Sequence, residues 1–141
     1  MDDQFDLRRF VDAQAPIYAQ ALAELRAGRK QSHWMWYVFP QIQGLGESPM
    51  AQKFAITSLP EAVAYLQHSV LGPRLREATQ AVNEVEGSTI ETIFGYPDYL
   101  KFRSSMTLFS KAAPGDPVFV NALAKYFDGE PDERTLDLIG M

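Results

Sequence analysis

Leu71-Gly72-Pro73-Arg74-Leu75-Arg76-Glu77-Ala78-Thr79-Gln80-Ala81-Val82-Asn83-Glu84-Val85-Glu86-Gly87 is the stretch on which the fold reading turns. Leu71, Leu75, Ala78, Val82 and Val85 step by four, three, four and three, the spacing that places apolar side chains on one side of an α-helix. Gly72-Pro73 belongs in the first turn, where proline has no helical hydrogen bond to lose. Gly87 supplies the stop.

The same period continues outward in both directions. Toward the N-terminus, Ser58-Leu59-Pro60-Glu61 is a capping box ahead of Ala62 to Gln67, and Ser48-Pro49 is a helix start. Leu7 to Gln14 and Pro16 to Ala27 read as one or two helices, Ile17, Ala21, Leu22 and Leu25 forming a stripe and Gly28 a terminator. Pro16 either opens the second helix or kinks a single one. Toward the C-terminus, Ser88-Thr89-Ile90-Glu91 is a further capping box for a short helix that Gly95 ends. Asp98 is placed to cap Tyr99 to Lys111, with Tyr99, Phe102, Met106 and Phe109 as its stripe; Asp116-Pro117 and Asp132 open the last two helices. Met35 to Phe39 is the one segment with room for a strand. The pattern predicts an all-α fold, an irregular multihelical single domain over residues 1–141.

Composition bounds the function. Hydrophobic residues make up 46% of the chain and charged residues 22%, the profile of a packed globule able to fold alone. The absence of cysteine excludes disulfides, thiolate nucleophiles and Cys-ligated metal centres. Met1-Asp2-Asp3-Gln4 lacks the basic and then apolar run of a secretory signal, and no apolar run has bilayer-spanning length. A cytoplasmic monomer without a membrane association is expected. A net charge of −5 repels polyanions over most of the surface, so a nucleic-acid polymer is not an expected partner. Two histidines 35 positions apart, with no His-Glu-x-x-His spacing, make no metal motif. No metal and no cofactor are expected.

Two polar-aromatic segments are the candidates for chemistry. The first, Gly28 to Gln41, sets Arg29, Lys30, Ser32 and His33 beside Trp34 and Trp36. Cations and hydroxyls hold anionic oxygens, and an indole face stacks on a planar ring. Packing alone also explains such a run, since each buried aromatic removes roughly 150–250 Å² from water, on the order of 4–6 kcal/mol as an upper bound. Arg29 and Lys30 follow a helix end, where cations meet the dipole without any ligand. His33 is the histidine placed to act as acid or base; His68, at a predicted helix end, has a surface or dipole-compensating role. In the second segment, Phe94 to Phe109, helical spacing puts Asp98, Lys101 and Ser105 on one side. The run Ser104-Ser105-Met106-Thr107 is unusual inside a helix, because hydroxyls compete for backbone groups.

Through Ala21-Leu22-x-Glu24-Leu25-Arg26-x-Gly28-Arg29-Lys30-x-Ser32-His33-Trp34-Met35-Trp36, Phe39-Pro40-Gln41, Gly44-Leu45-Gly46, Phe94-Gly95-x-Pro97-Asp98-x-Leu100-Lys101 and Ser104-Ser105-Met106-Thr107-Leu108-Phe109, the chain resembles a bacterial and fungal family, domain of unknown function 1810, some members of which carry a calpastatin-like label. Relatives show His-Pro where this chain has His68-Ser69. The resemblance implies a compact helical fold and no established reaction. A calpastatin-type inhibitor is a disordered repeat chain, which this packed sequence is not. In residue style alone, the two segments are also similar to a helical family linked to ADP-ribose and to N-glycosidic bonds of riboflavin intermediates.

Two functions fit these residues. In the first, a pocket binds a phosphorylated, ring-bearing metabolite such as a nucleotide or ADP-ribose derivative, and hydrolyses its N-glycosidic bond or leaves it intact. Arg29, Lys30 and Lys101 then hold anionic oxygens with the hydroxyls of Ser32, Ser104 and Ser105, Trp34 or Trp36 stacks, and Asp98 or His33 orients a water. This requires Arg29, Lys30, His33, Asp98 and Lys101 to converge on one cleft. In the second, a non-catalytic module docks a protein partner through an exposed patch anchored by the tryptophans and Phe39.

Overall fold

In the computed structural model, which describes residues 3–141, ten helices pack into one domain, and no strand is present among the described residues. α1 (Arg8–Gln14) and α2 (Tyr18–Arg26) are separate helices, and Pro16 lies in the turn between them, neither opening the second nor kinking a longer one. The backbone after α2 explains its end. Gly28 takes φ 77° and donates its N–H to Leu25 O, while Arg29 N–H reaches back to Glu24 O. These paired bonds satisfy the last carbonyls and require the left-handed conformation that glycine adopts without steric cost.

Met35 to Phe39 is not a strand. Met35–Val38 forms the short helix α3, its backbone groups satisfied locally, with Val38 N–H donating to Trp34 O and Phe39 N–H to Met35 O. The isolated β-bridge joins Ile42 to Ile56, with Gln43 N–H donating to Ile56 O and Ile56 N–H to Gln41 O. Between the bridge residues lies α4 (Pro49–Lys53), capped as expected by Ser48, whose Oγ accepts from Ala51 N–H.

α5 (Leu59–Gln67) and α6 (Leu71–Asn83) follow, with Ser58 Oγ accepting from Glu61 N–H. The Glu61 carboxylate does not complete the expected reciprocal cap on Ser58. It accepts from Thr57 N–H and Oγ1–H through one oxygen and pairs with Arg9 at 3.0 Å through the other. His68 is partly exposed and serves the helix that follows, since its Nδ1 accepts from the N–H groups of Val70 and Leu71 and the ring caps the start of α6. Proline-free and short, the α5–α6 junction leaves those donors without backbone acceptors, and the imidazole supplies one.

α7 (Ile90–Phe94) starts one residue later than the sequence reading places it, with Thr89 as the cap accepting from Thr92 N–H. α8 (Asp98–Ala112) runs through the middle of the domain, against α5, α7, α9 (Pro117–Phe127) and α10 (Glu133–Leu138). Phe102, Met106, Leu108 and Phe109 of α8 are buried. The hydroxyls that weaken its helix propensity form a polar seam with α10. Ser104 Oγ reaches Leu100 O and Asp132 Oδ2, while Thr107 Oγ1 donates to Arg103 O and accepts from Asp132 N–H. Asp132 in turn caps α10 through Thr135. No helix among the described residues is long and apolar enough to cross a membrane.

Candidate functional site

The two polar-aromatic segments meet. Lys30 is held where the loop after α2 passes the end of α7, its N–H donating to Ile93 O at 2.7 Å. Gly95, at φ 78°, turns the chain out of α7 and into α8. Asp98 does not cap α8, as its sequence position suggests. The carbonyls of Gly95 and Pro97 take the N–H groups of Tyr99, Leu100 and Lys101, which leaves the Asp98 carboxylate free to face the lysines. Lys30 Nζ lies 2.9 Å from its Oδ2, and Lys101 Nζ 3.4 Å from its Oδ1.

The two cations differ in setting. The Lys30 side chain is 8% exposed and its ammonium sits 5.1 Å from the Trp34 ring centre; that of Lys101 is 29% exposed and its ammonium sits 5.6 Å from the Trp36 ring centre. A buried ammonium is costly unless compensated. Asp98 turns one carboxylate oxygen to each lysine, and the indole faces add cation–π attraction. The three groups together carry one net positive charge on a protein of net −5.

Trp34 and Trp36 have unequal roles. Trp34 is wholly buried, packed against Phe39 with ring centres 6.2 Å apart, while Trp36 is half-buried. Trp34 and the equally buried Phe39 therefore offer no exposed anchors, which removes two of the three residues the docking-patch reading uses. Trp36 alone of these is partly exposed.

The carboxylate that organises the first segment is one the sequence reading missed. Glu24 accepts from Gln31 N–H, Ser32 N–H and Trp34 Nε1–H through Oε1, and from Ser32 Oγ–H and Gln20 Nε2–H through Oε2. Burial raises its pKa, but the hydrogen bonds from Ser32, Gln31, Trp34 and Gln20 outweigh that and hold it at about 2. The sequence pattern assigns Glu24 no role. The available signal is its place one turn before a glycine terminator, where a side chain faces the returning loop.

A depressed carboxyl pKa makes its stabilisation complete above the ordinary range and lost as pH falls from about 4.5 toward about 2. Glu24→Gln is expected to cost about 1–2 kcal/mol at pH 7, discounted for partial solvation. Urea melts at pH 7 and pH 2.5 check this. The wild-type advantage should shrink at the lower pH, and an equal difference at both would show that the charge does not matter.

The remaining sequence-selected residues are placed less favourably. Arg29 and His33 are exposed, and neither side chain makes an ion pair or hydrogen bond among the described residues; only the backbone carbonyl of His33 is used, by Tyr37 Oη–H. Of the five residues expected to converge, Lys30, Asp98 and Lys101 are in direct contact. The hydroxyl of Ser32 is committed to Glu24, and Ser104 to the α10 seam. Ser105 is fully buried with its Oγ unpartnered. No group of three or more His, Asp or Glu side chains is arranged for a metal ion among the described residues. A cavity of about 530 Å³ lies elsewhere, lined by residues of the N-terminal turn, α1 and α5 together with His68, and none of the selected site residues borders it.

An all-helical single domain with a buried and a half-buried lysine sharing one carboxylate over two indoles is the class that this fold and site define. The chain belongs to the family described as protein of unknown function (DUF1810), whose model matches residues 4–139. It is similar to the conserved hypothetical protein Rv1873 from Mycobacterium tuberculosis, whose crystal structure shares 58% sequence identity and a TM-score of 0.97 over 99% of each chain. No curated protein matches it.

Proposed function

We propose that the Lys30–Asp98–Lys101 cluster, with the partly exposed ring of Trp36, binds a small phosphorylated metabolite bearing a planar ring, such as a nucleotide or ADP-ribose derivative. The observation that carries this reading is the meeting of two lysines, from segments far apart in the sequence, on one carboxylate with each ammonium against an indole. Two cations for one anion leave a positive excess where the rest of the protein is acidic. An anionic group offsets that excess and supplies acceptors for the ammonium N–H groups that Asp98 does not use.

Lys101 is the arm that moves. Its longer pair and greater exposure let it leave Asp98 Oδ1 for a ligand oxygen, whereas Lys30 stays fixed by its backbone bond and burial. Hydrolysis at this site would use the Asp98 carboxylate freed by that movement to orient a water or stabilise positive charge on a sugar.

A thermal-shift screen over nucleotides and sugar phosphates tests the reading, because a ligand that prefers the folded state raises its stability, by about 2.7 kcal/mol at a concentration one hundred times Kd. Lys101→Ala is expected to abolish the shift while changing the stability of the free protein by less than about 1 kcal/mol, as for a partly exposed ion pair. A shift that survives in Lys101→Ala would place the ligand elsewhere.

A further inference from the structure

From the aromatic residues that flank the cluster, we infer that the ligand carries two ring systems joined by an anionic linker, the chemistry of a dinucleotide. This rests on the binding reading above. Tyr96 is 79% exposed, the most exposed aromatic side chain among the described residues, and it stands two positions before Asp98. Its ring is braced against half-buried Tyr99, with centres 6.1 Å apart and planes tilted by 54°. The segment carrying it also positions the carboxylate, since Tyr99 N–H donates to Gly95 O at 2.9 Å.

The helix sets the arrangement. At about 100° per residue, Tyr99 lies about 100° to one side of Asp98 around α8, and Lys101 about 60° to the other. Lys101 carries the Trp36 ring on its own side. The inferred order is thus an indole against the Lys101 ammonium, the charged groups, and the Tyr96–Tyr99 pair on the other angular side of Asp98. A mononucleotide uses the Trp36 side alone. Two nucleosides joined through a diphosphate use both, with the linker on the lysines.

Calorimetric titration of the full chain with ADP and with P1,P2-diadenosine diphosphate, which share the base and differ in ring count, tests the inference. The two-ring ligand is expected to bind at least about tenfold more tightly, within what one base stacked on an aromatic side chain supplies. Tyr96→Ala should erase that difference and leave ADP binding unchanged, while Tyr96→Phe, which keeps the ring, should preserve it. Equal affinities in the wild type, or a Tyr96→Ala loss shared by both ligands, would overturn the two-ring inference alone. Failure of both ligands to bind the wild-type protein would overturn the binding reading and this inference with it.

Discussion

Trp34→Ala is expected to lower the free energy of unfolding by about 3–5 kcal/mol, a large fraction of the roughly 5–15 kcal/mol that holds a domain of this size together. The loss has three sources. The indole is wholly buried against Phe39, so truncation leaves a void that its neighbours fill only in part. Its N–H is one of the donors that hold the Glu24 carboxylate, at 3.0 Å. Its face also meets the Lys30 ammonium, whose burial it helps to offset. Trp34→Phe, which keeps a ring but loses the N–H, is expected to cost less. Urea denaturation at pH 7 reads both, as a shift in midpoint with unchanged slope. A Trp34→Ala loss below about 1 kcal/mol would mean that the ring is not part of the core.

Arg9→Met is expected to cost a similar amount, about 3–5 kcal/mol, the usual consequence of removing one partner from a buried ion pair. Arg9 ties together segments far apart in the chain. Its guanidinium donates to the carbonyls of Phe5, Asp6, Lys53 and Ala55 and to Glu61 Oε2, and lies 4.4 Å from the Phe10 ring centre. Glu61 is 1% exposed, so without Arg9 its charge stays buried with only the two donors of Thr57. The test is a double-mutant cycle. Adding Glu61→Gln to Arg9→Met removes the uncompensated charge and should recover part of the loss, whereas strictly additive losses would show that the two groups are not coupled.

Arg9 and Glu24 show why much of the site was not legible. Both sit on helices legible in the sequence, and neither stands in a motif that marks it as a partner for distant groups. Arg9 donates mainly to backbone carbonyls and Glu24 accepts from both backbone and side-chain donors of the loop after α2, and nothing in residue type indicates which loop will pass over a given helix face. Asp98 is a related case. Its position before a helical stripe favours a cap, but the turn at Gly95 and Pro97 supplies the acceptors first and turns the carboxylate toward Lys30. The same limit explains His68, whose ring caps the helix that follows it because the backbone there offers no acceptor of its own.

What the sequence by itself determined is the all-helical architecture. The helical period of Leu71 to Val82, the caps at Ser48, Ser58, Asp116 and Asp132 and the stops at Gly28 and Gly95 are local, and local hydrogen bonds and spacing decide them. Residue types also marked the two polar-aromatic segments. Only the tertiary structure decided that Lys30 and Lys101 share Asp98, that Trp34 belongs to the core while Trp36 is half-buried, and that the Arg29 and His33 side chains are exposed and make no ion pair or hydrogen bond among the described residues. Those outcomes depend on how α2, α7 and α8 pack. Packing is set by the summed burial of side chains distant in the chain, a quantity that no local pattern contains.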